Sequence, residues 1–272
     1  MPKILNGTEL ADFVKERQAH SVRALKSDRK FPKLVIIRDS DNPVIMKYVE
    51  LKKEYGSDIG IIVEDRFAED LIGLKEIVRD ASADPAVSGI IVQLPLKDKS
   101  WTDEVVAEIK PEKDVDGLNS AALVKAGKHP IFESATATAI NWLISGYDIN
   151  LENRHIAIVG KGRLVGEPLI RMWRGAGHDV TVFDSKSDLK ELRNFDLIVT
   201  ATGKPHIITN EMVKSGAIVI DAGTASEHGI LVGDLAEDVR SRSDLKAFTP
   251  KVGGVGPLTV AVLFEDVISA AS

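Results

Sequence analysis

Short runs of apolar residues alternate along the chain with longer segments in which apolar positions recur every three or four residues. The short runs are almost continuously apolar and rich in valine and isoleucine, which is typical of strands buried on both faces of a sheet. The longer segments have the period of amphipathic helices. We predict strands at 34–37, 59–63, 89–92, 155–159, 180–183, 197–200 and 217–220, and helices at 9–25, 44–55, 71–80, 102–108, 138–145, 166–175, 210–214 and from about 257.

This alternation of strands and helices predicts the α/β class, with parallel sheets built from βαβ units. Three or more predicted strands precede residue 112 and four follow residue 155, which fits two sheets in two domains. We therefore place one domain at residues 1–138 and the other at 139–256. We expect the C-terminal helix, residues 257–272, to pack back on the first domain.

Composition narrows the class of protein. The chain has 272 residues, of which 44% are hydrophobic and 28% charged, so it has enough apolar material for a core. A net charge of −6 gives no general attraction to nucleic acids or anionic membranes, and we expect neither as a partner. No apolar run approaches the roughly 20 residues needed to cross a bilayer, and the N-terminus lacks a signal peptide's apolar segment. We expect a soluble, cytoplasmic protein.

Two types of catalytic centre are excluded or disfavoured by the residues present. The sequence has no cysteine, which excludes disulfides, thiolate nucleophiles and cysteine-ligated zinc. The histidines are scattered without H-x-x-x-H spacing, so we predict no metal site. They are His20, His129, His155, His178, His206 and His228.

A glycine-rich turn follows the predicted strand 155–159 and opens the predicted helix 166–175. Its glycines have the spacing G-x-G-x-x-x-G at 160–166, one residue longer than the commonest dinucleotide fingerprint. Such glycines let the backbone approach a pyrophosphate, which then sits over the positive N-terminus of the helix. We interpret 156–168 as a dinucleotide-binding loop, with a tight turn that binds nothing as the alternative.

The residues after the next strand bear on the choice between NAD and NADP. Asp184 stands where many NAD enzymes hold the adenosine ribose. Lys161, Arg163, Ser185 and Lys186 instead supply cations and a hydroxyl suited to a 2′-phosphate. An equal alternative is that Asp184 is only a cap or turn residue, and the charges alone do not decide.

Three segments of the first domain carry polar residues where a ligand is expected. Tyr48 and Lys52 are four residues apart, on one face of a predicted helix. Gln93 follows the strand 89–92, and the carboxyl ends of such strands are where α/β sheets bind ligands. Asp114 and Asp116 begin a turn. Each residue also has a purely structural interpretation: a solvated lysine, a core ring, a strand cap or turn carboxylates.

Taken together, these segments resemble the methylenetetrahydrofolate dehydrogenase/cyclohydrolase family, in that family's order and over nearly the whole chain. The matching pieces are Y-V-E-L-K at 48–52, G-I-I-V-Q-L-P-L at 89–96, K-D-V-D-G at 113–117, G-E-P at 166–168, G-A-I-V-I-D-A-G at 216–223, V-G-D at 232–234, T-P at 249–250 and G-G-V-G-P-L-T at 253–259.

The chain departs from the family pattern at four places. The family usually has P-C-T-P-x-G where this chain has S-A-T-A-T-A at 134–139, so only Thr136 is kept. The nucleotide loop begins G-K-G at 160–162 instead of Gly-Arg-Ser, D-S at 184–185 replaces His-Ser, and Val252 replaces a proline. We expect these departures to affect cofactor preference and loop rigidity more than the reaction itself.

The resemblance implies a catalytic domain and a Rossmann-type dinucleotide-binding domain with a cleft between them, and also a homodimer. It implies two reactions on tetrahydrofolate derivatives. The first oxidises 5,10-methylenetetrahydrofolate to 5,10-methenyltetrahydrofolate with NADP, NAD being the alternative cofactor. The second hydrolyses the product to 10-formyltetrahydrofolate. Other hypotheses are a dehydrogenase of another small substrate, or a catalytically silent nucleotide-binding module, the latter motivated by the altered segment 135–137.

Residue roles follow from the same resemblance. Lys52 is expected to transfer protons, Gln93 to orient it, Tyr48 to stack on the folate and Asp116 to anchor the pterin. The predicted folate-binding residues are Tyr48, Val49, Lys52, Gln93, Leu94, Pro95, Asp116, Gly254, Pro257 and Thr259. The predicted cofactor-binding residues are Gly160, Lys161, Gly162, Arg163, Val165, Gly166, Ser185, Lys186, Ala201, Thr202, Gly203, Gly223 and Thr224.

Overall fold

The structure, a computed structural model, describes residues 1–227 and 230–272. This part of the chain forms two compact units. Asp12–Ala135 and Val260–Ser272 form the first, called here the Lys52 unit; Met1–Ala11 and Thr136–Thr259 form the second, the Gly160 unit. We expected residues 1–11 in the first domain. They group with the second because strand β1 (Lys3–Ile4) pairs in parallel with strand β11 (Ala247–Phe248).

The Lys52 unit is built on a parallel sheet in the order β3–β2–β4, within the described residues. Leu34, Ile36, Ile37 and Ile90 of its strands are fully buried, which explains why these runs are continuously apolar. Its elements are α1 (Gly7–Ser27, from residue 12), β2 (Lys33–Arg38), α2 (Pro43–Ile59), β3 (Ile62–Phe67), α3 (Leu71–Ala83), β4 (Gly89–Val92), α4 (Thr102–Val106), α5 (Ser120–Lys125) and the later part of α9 (Val255–Ala271).

The Gly160 unit has a parallel sheet in the order β1–β11–β8–β7–β5–β6, beside an antiparallel pair, β9 with β10, as far as the chain is described. Successive strands are added on opposite sides of β5, with β6 on one side and β7 and β8 on the other, as in a doubly wound, Rossmann-type sheet. Its further elements are α6 (Ala135–Gly146), β5 (Ile156–Val159), α7 (Gly166–Gly175), β6 (Val180–Phe183), β7 (Leu197–Thr200), β8 (Ile218–Asp221), β9 (Ala225–Glu227), β10 (Ile230–Val232) and α8 (Glu237–Arg240).

The structure confirms the α/β class and the parallel sheets. The predicted strands 89–92, 180–183 and 197–200 and the predicted helix 166–175 have the same bounds in the structure. The predicted strand 59–63 is wrong at its start, because Ile59 is the last residue of α2 and Gly60, with φ of 85°, caps that helix. The segment predicted as a helix at 210–214 is a short 3₁₀ helix, Asn210–Met212.

Within residues 1–227 and 230–272, no helix combines the length and the apolar composition that crossing a membrane requires.

Candidate active site

Helix α2 holds two of the predicted catalytic side chains. Its start is fixed by Asn42, whose Oδ1 accepts a hydrogen bond from the amide of Val44 at 2.9 Å, and by proline in the first turn. Val49 has no exposed surface and packs in the core, whereas Tyr48 and Lys52 are half-buried. The helix therefore presents the ring and the ammonium group on a face that is only partly covered.

Gln93 meets Lys52 directly. The residue follows β4, and its backbone amide continues the sheet by donating to the carbonyl oxygen of Ile37 at 2.8 Å. Lys52 Nζ donates to Gln93 Oε1 at 2.8 Å, and Gln93 Nε2 donates to the carbonyl of Leu94 at 3.3 Å. The Leu94–Pro95 peptide bond is cis. The predicted pairing of Lys52 with Gln93 is thus present in the structure.

Burial lowers the pKa of Lys52 below its usual value, because the charged amine loses solvation. The charge of Asp116 acts in the opposite direction and restores part of the pKa. Gln93 accepts the lysine's hydrogen bond without carrying a charge, so it does not add to that restoration. This environment makes the neutral form of the amine, the form that can accept a proton, easier to reach than in a solvated lysine.

The two aspartates of the turn have different surroundings. Asp114 is buried, and its carboxylate accepts hydrogen bonds from the amides of Leu118 at 2.9 Å and Asn119 at 2.8 Å. It therefore has the turn role that we gave as an alternative for both acids. Gly117 takes φ of 59° in this turn, and a Cβ there would lie 2.5 Å from the backbone of Glu133, so only glycine fits.

Asp116 is the aspartate that interacts with Lys52. Burial raises its pKa to about 7, the charge of Lys52 lowers it and the charge of Asp114 raises it. A carboxyl group with this pKa changes its charge near neutrality, which is common at functional sites. The tyrosine of the set, Tyr48, has a pKa raised by burial, so its hydroxyl stays protonated at neutral pH.

The structure adds an acid that sequence reasoning missed. Asp266 of α9 interacts electrostatically with Asp116, and burial raises its pKa to about 8, with further increases from Asp116 and Glu265. The only signal in the sequence was the acid pair at 265–266 in an otherwise uncharged helix. No periodicity indicates what such a pair faces.

The glycine turn of the Gly160 unit is shaped by backbone packing. Gly160 has φ of 100°, and its amide donates to the carbonyl of Phe183 at 2.8 Å. A Cβ on Gly166 would lie 2.1 Å from the Gly160 carbonyl oxygen, so α7 begins directly against the turn. A Cβ on Gly162 would meet nothing within 4 Å. The turn is thus tightly packed at Gly160 and Gly166 and open at Gly162.

Other predicted cofactor residues lie beside this turn. A Cβ on Gly160 would be 2.6 Å from the carbonyl oxygen of Ala201, and one on Gly203 would be 3.3 Å from that of Thr224. These segments follow β7 and β8, so the carboxyl ends of adjacent strands bring them together. Val165 precedes the first residue of α7. The structure thus brings together the predicted residues at 160–166, 201–203 and 224.

Two buried aspartates that we did not predict fix these loops. The Asp234 carboxylate accepts hydrogen bonds from the hydroxyl of Thr200 at 2.5 Å and the amides of Thr202 at 2.6 Å and Lys204 at 3.1 Å. Asp221 accepts from the amide of Gly223 at 3.0 Å. Asp221 also forms an ion pair with Arg240 at 2.6 Å. The aspartates of the motifs at 216–223 and 232–234 therefore have a structural role, which is to hold these loops in place.

Asp184 accepts local hydrogen bonds in the turn after β6. Its Oδ1 accepts hydrogen bonds from the amide of Lys186 at 2.8 Å and the hydroxyl of Ser187 at 3.2 Å, and these bonds lower its pKa. Asp184 is therefore an ionised turn residue. Lys161, Ser185 and Lys186 are exposed and Arg163 is half-buried.

Three predicted folate-binding residues, Gly254, Pro257 and Thr259, belong to the Gly160 unit. Gly254 lies in a turn against Gly7, whose amide donates to the carbonyl of Gly253 at 2.7 Å. Pro257 lies in the first turn of α9, as expected. Among the described residues, no three His, Asp or Glu side chains are grouped as a metal site would require; His228 lies outside those residues.

A Rossmann-type unit with a glycine turn, joined in one chain to an α/β unit with a half-buried lysine, defines a two-domain α/β protein of the dinucleotide-binding class. Comparison with known proteins makes this specific. Residues 5–116 match the family described as tetrahydrofolate dehydrogenase/cyclohydrolase, catalytic domain, and residues 134–272 match its NAD(P)-binding domain. The chain belongs to the tetrahydrofolate dehydrogenase/cyclohydrolase family.

Individual relatives agree with this assignment. The bifunctional protein FolD of Lactobacillus delbrueckii subsp. bulgaricus is 37% identical, over 98% of this chain and 96% of its own length. The crystal structure of the FolD dehydrogenase/cyclohydrolase from Campylobacter jejuni superposes with a TM-score of 0.92 at 32% identity, over 100% of this chain and 99% of that one. The Trypanosoma brucei enzyme, complexed with NADP cofactor and inhibitor, has a TM-score of 0.90 at 27% identity, over 99% and 97% of the two chains.

Proposed function

We propose that this chain oxidises 5,10-methylenetetrahydrofolate to 5,10-methenyltetrahydrofolate with NADP and hydrolyses that product to 10-formyltetrahydrofolate. The observation that carries this proposal is the hydrogen bond of 2.8 Å between Lys52 and Gln93, beside Asp116, in a chain of this family. A lysine with a lowered pKa and a neutral partner is suited to proton transfer at neutral pH.

The residues of the Gly160 unit fit a dinucleotide. The open space above Gly162 and the N-terminus of α7 leave room for a pyrophosphate, and Asp234 holds the neighbouring loop at 200–204 in place. A bound dinucleotide would supply the hydride acceptor for oxidation of the folate's methylene carbon. The cation that remains is stabilised by the folate's own nitrogens, so the protein's task is to bind, orient and exclude water.

Hydrolysis is the step that needs a proton carrier. A water oxygen bonds to the methenyl carbon while the neutral amine of Lys52 accepts a proton from that water. The bond between this carbon and N5 then breaks, N5 takes up the proton from Lys52, and the hydroxyl group on the carbon releases its remaining proton to solvent, so that a formyl group stays on N10. Lys52 returns its proton in this second stage, so the enzyme is unchanged after the cycle. Gln93 Oε1 keeps the lysine nitrogen in place throughout.

Folate binding is assigned to residues around this pair. We propose that ionised Asp116 accepts hydrogen bonds from the amino and ring N–H groups of the pterin, a charge-assisted anchor. Tyr48 stacks on the aromatic system, which its half-buried ring at the same helix face allows. The predicted folate contacts of Val49, Leu94, Pro95, Gly254, Pro257 and Thr259 stay predictions.

We propose NADP rather than NAD as the preferred cofactor. Lys161 and Ser185 are exposed and suited to a 2′-phosphate, with Arg163 and Lys186 adding positive charge. The opposing acid, Asp184, is engaged by the amide of Lys186 and the hydroxyl of Ser187. These bonds favour a turn role over ribose binding.

We propose a homodimer from the family resemblance, and analytical ultracentrifugation, which measures the mass of the particle in solution, tests it. The cytoplasmic location stays a prediction.

The direct test mixes the purified protein with 5,10-methylenetetrahydrofolate and either NADP or NAD. We expect the reduced nicotinamide to form faster with NADP, and the methenyl absorbance to rise and then decay to the formyl product. Absence of both signals with both cofactors would contradict the proposal and favour a silent nucleotide-binding module. A methenyl signal that accumulates without enzyme-dependent decay would contradict the hydrolase half alone.

A further inference from the structure

The loop between β2 and α2 contains a fully buried acid, Asp39. Asp39 Oδ2 accepts a hydrogen bond from the backbone amide of Lys97 at 2.7 Å. Its other oxygen, Oδ1, is buried and has no hydrogen-bond partner among residues 1–227 and 230–272. Burying a carboxylate is costly unless it is hydrogen-bonded. Within the described chain, the Lys97 amide is therefore the group whose hydrogen bond offsets this cost.

This bond ties the turn after β4, residues 93–97, to the end of β2. At the start of the turn, the amide of Gln93 donates to the carbonyl oxygen of Ile37 in β2 at 2.8 Å. At its end, the amide of Lys97 donates to Asp39, which directly follows β2. Pro95, between them, has no N–H to donate. The shape of this turn therefore depends on the two bonds at its ends.

The turn sets the orientation of the Gln93 side chain. Gln93 Nε2 donates to the carbonyl oxygen of Leu94 at 3.3 Å, which leaves Oε1 to accept from Lys52 at 2.8 Å. An amide group has an acceptor end and a donor end of similar shape, so its hydrogen-bond partners decide which end faces a neighbour. Without the Leu94 carbonyl in this place, Nε2 would be free to turn toward the lysine.

The end of the amide that faces Lys52 matters for its action as a base. A neutral amine has two N–H groups and one lone pair, and the lone pair accepts the proton from water. When Lys52 donates to Oε1 of Gln93, its lone pair stays free. If Nε2 faced the lysine, it would donate to the lone pair and block it. The turn that Asp39 anchors therefore keeps the neutral lysine able to accept a proton.

We propose that Asp39 is a positioning residue for hydrolysis, acting through the turn after β4 on the orientation of Gln93. This inference rests on the proposed function, because it takes Lys52 as the proton carrier. It gives the loop between β2 and α2 two tasks. Asn42 fixes the start of the helix that carries Lys52, and Asp39 fixes the turn that carries Gln93.

The test is a double-mutant cycle on the rate of methenyl hydrolysis, with hydride transfer measured beside it. Asp39→Ala should lower hydrolysis roughly 10- to 100-fold, the order of effect that a small misplacement of a catalytic group has, and leave hydride transfer nearly unchanged. In a Gln93→Leu background the same change should cause no further loss of hydrolysis, because the side chain that it positions is gone. Asp39→Asn, whose Oδ1 still accepts from the amide, should keep most of the hydrolysis.

Asp70→Ala is the matched control. It removes a carboxylate of the same unit that accepts a backbone amide, that of Gly73 at 2.8 Å, at the start of α3. It should lower stability without changing the ratio of hydrolysis to hydride transfer.

Full hydrolysis in Asp39→Ala would overturn the inference and leave the proposed function standing. The same is true of an equal fold-loss with and without Gln93, or of an asparagine variant as impaired as the alanine variant. A wild-type protein that does not hydrolyse the methenyl compound would overturn both the inference and the hydrolase half of the proposed function.

If Asp39→Ala does not fold, the bond is removed from its other side. Lys97→Pro deletes the N–H that donates to Asp39, whereas Lys97→Ala keeps that N–H and loses only an exposed side chain. We expect the proline variant alone to lose hydrolysis, and both variants to keep hydride transfer. Full hydrolysis in Lys97→Pro, or an equal loss in both variants, would overturn the inference.

Discussion

Gln93→Glu tests whether the neutrality of the lysine's partner matters. The Lys52 nitrogen lies 2.8 Å from Gln93 Oε1, so a carboxylate in the same place would have its charge centred about 4 Å away. At an effective dielectric constant of about 20, that attraction is about 4 kcal/mol, or about 3 pKa units. Measured shifts beside an opposite charge are about 1–3 units. The pKa of Lys52 in the Gln93→Glu variant should therefore rise by about 1–3 units.

The expected result is a large loss of hydrolysis with a characteristic pH dependence. Because only the neutral amine accepts a proton from water, ring opening at neutral pH should fall by about 10- to 1,000-fold, following the shift in pKa. It should rise with pH by about tenfold per unit and level off at a higher pH than the wild-type rate does. The rate of hydride transfer should fall less, since that reaction does not use the lysine as a base.

The assay follows the decay of added 5,10-methenyltetrahydrofolate from pH 6 to 9, with reduced nicotinamide formation measured separately. Gln93→Leu is the companion variant, because it removes the acceptor without adding a charge, and we expect a lower rate with no shift of the profile to higher pH. An unchanged pH dependence in Gln93→Glu would refute the reasoning about charge.

Three further predictions follow from other contacts. Asp116→Ala should weaken folate binding about 10- to 100-fold, the value of roughly 1.5–3 kcal/mol for a charge-assisted hydrogen bond, without changing dinucleotide affinity; equal loss of both in calorimetry would indicate a folding defect instead. Lys161→Ala should raise KM for NADP and leave KM for NAD nearly unchanged, while Asp184→Ser improves NADP use only slightly; a wild-type preference for NAD that Asp184→Ser reverses would show that the acid governs the pocket. Gly166→Ala should lower the free energy of unfolding by about 1–3 kcal/mol in urea titrations, because the added Cβ would lie 2.1 Å from a carbonyl oxygen. Gly175→Ala, at the other end of α7 with open space around it, is its control and should not destabilise the protein.

Sequence reasoning worked best where an element is buried and has clear ends. The strands β4, β6 and β7 are short, mostly apolar runs that each follow a polar residue, and α7 has a glycine turn before it, so their bounds were predicted without error. The run at 59–63 shows the limit. Ile59 is apolar because it is buried at the end of α2, and the residues from Ile62 onward are apolar or paired in β3, so one continuous run contains a helix end, a turn and a strand.

Elements that depend on distant pairing were not predictable. β1 and β11 have two residues each, too few for any period, and each exists because of its neighbour in the sheet. The segment at 134–139, which departs from the family pattern, is largely buried and mostly helical in the structure. Ser134, Ala135, Ala137 and Ala139 are buried, and the segment from Ala135 onward forms the start of α6, three residues before the predicted helix.

Some residues of the candidate site were indicated by the sequence and others were not. Helix spacing and a strand end made Lys52 and Gln93 candidates, and the family resemblance paired them. Their side chains are hydrogen-bonded in the structure. Residue spacing did not separate Asp114 from Asp116, since both acids sit in one turn, and only the family resemblance singled out Asp116. In the structure Asp114 accepts amide hydrogen bonds within the turn, whereas Asp116 interacts with Lys52. Asp234 and Asp266 were missed because their partners are far away in the chain.

The central claim is that Lys52 transfers the protons of ring opening, and the most direct test compares two neighbouring lysines of α2. Lys53 is paired with Glu50 at 3.0 Å and Asp65 at 3.4 Å, so Lys53→Met matches Lys52→Met in chemistry and helix but not in site. The measurement is the rate of methenyl hydrolysis relative to that of hydride transfer in each variant. We predict that Lys52→Met abolishes hydrolysis while keeping more of its hydride transfer, and that Lys53→Met keeps both. Full hydrolysis in Lys52→Met would contradict the account.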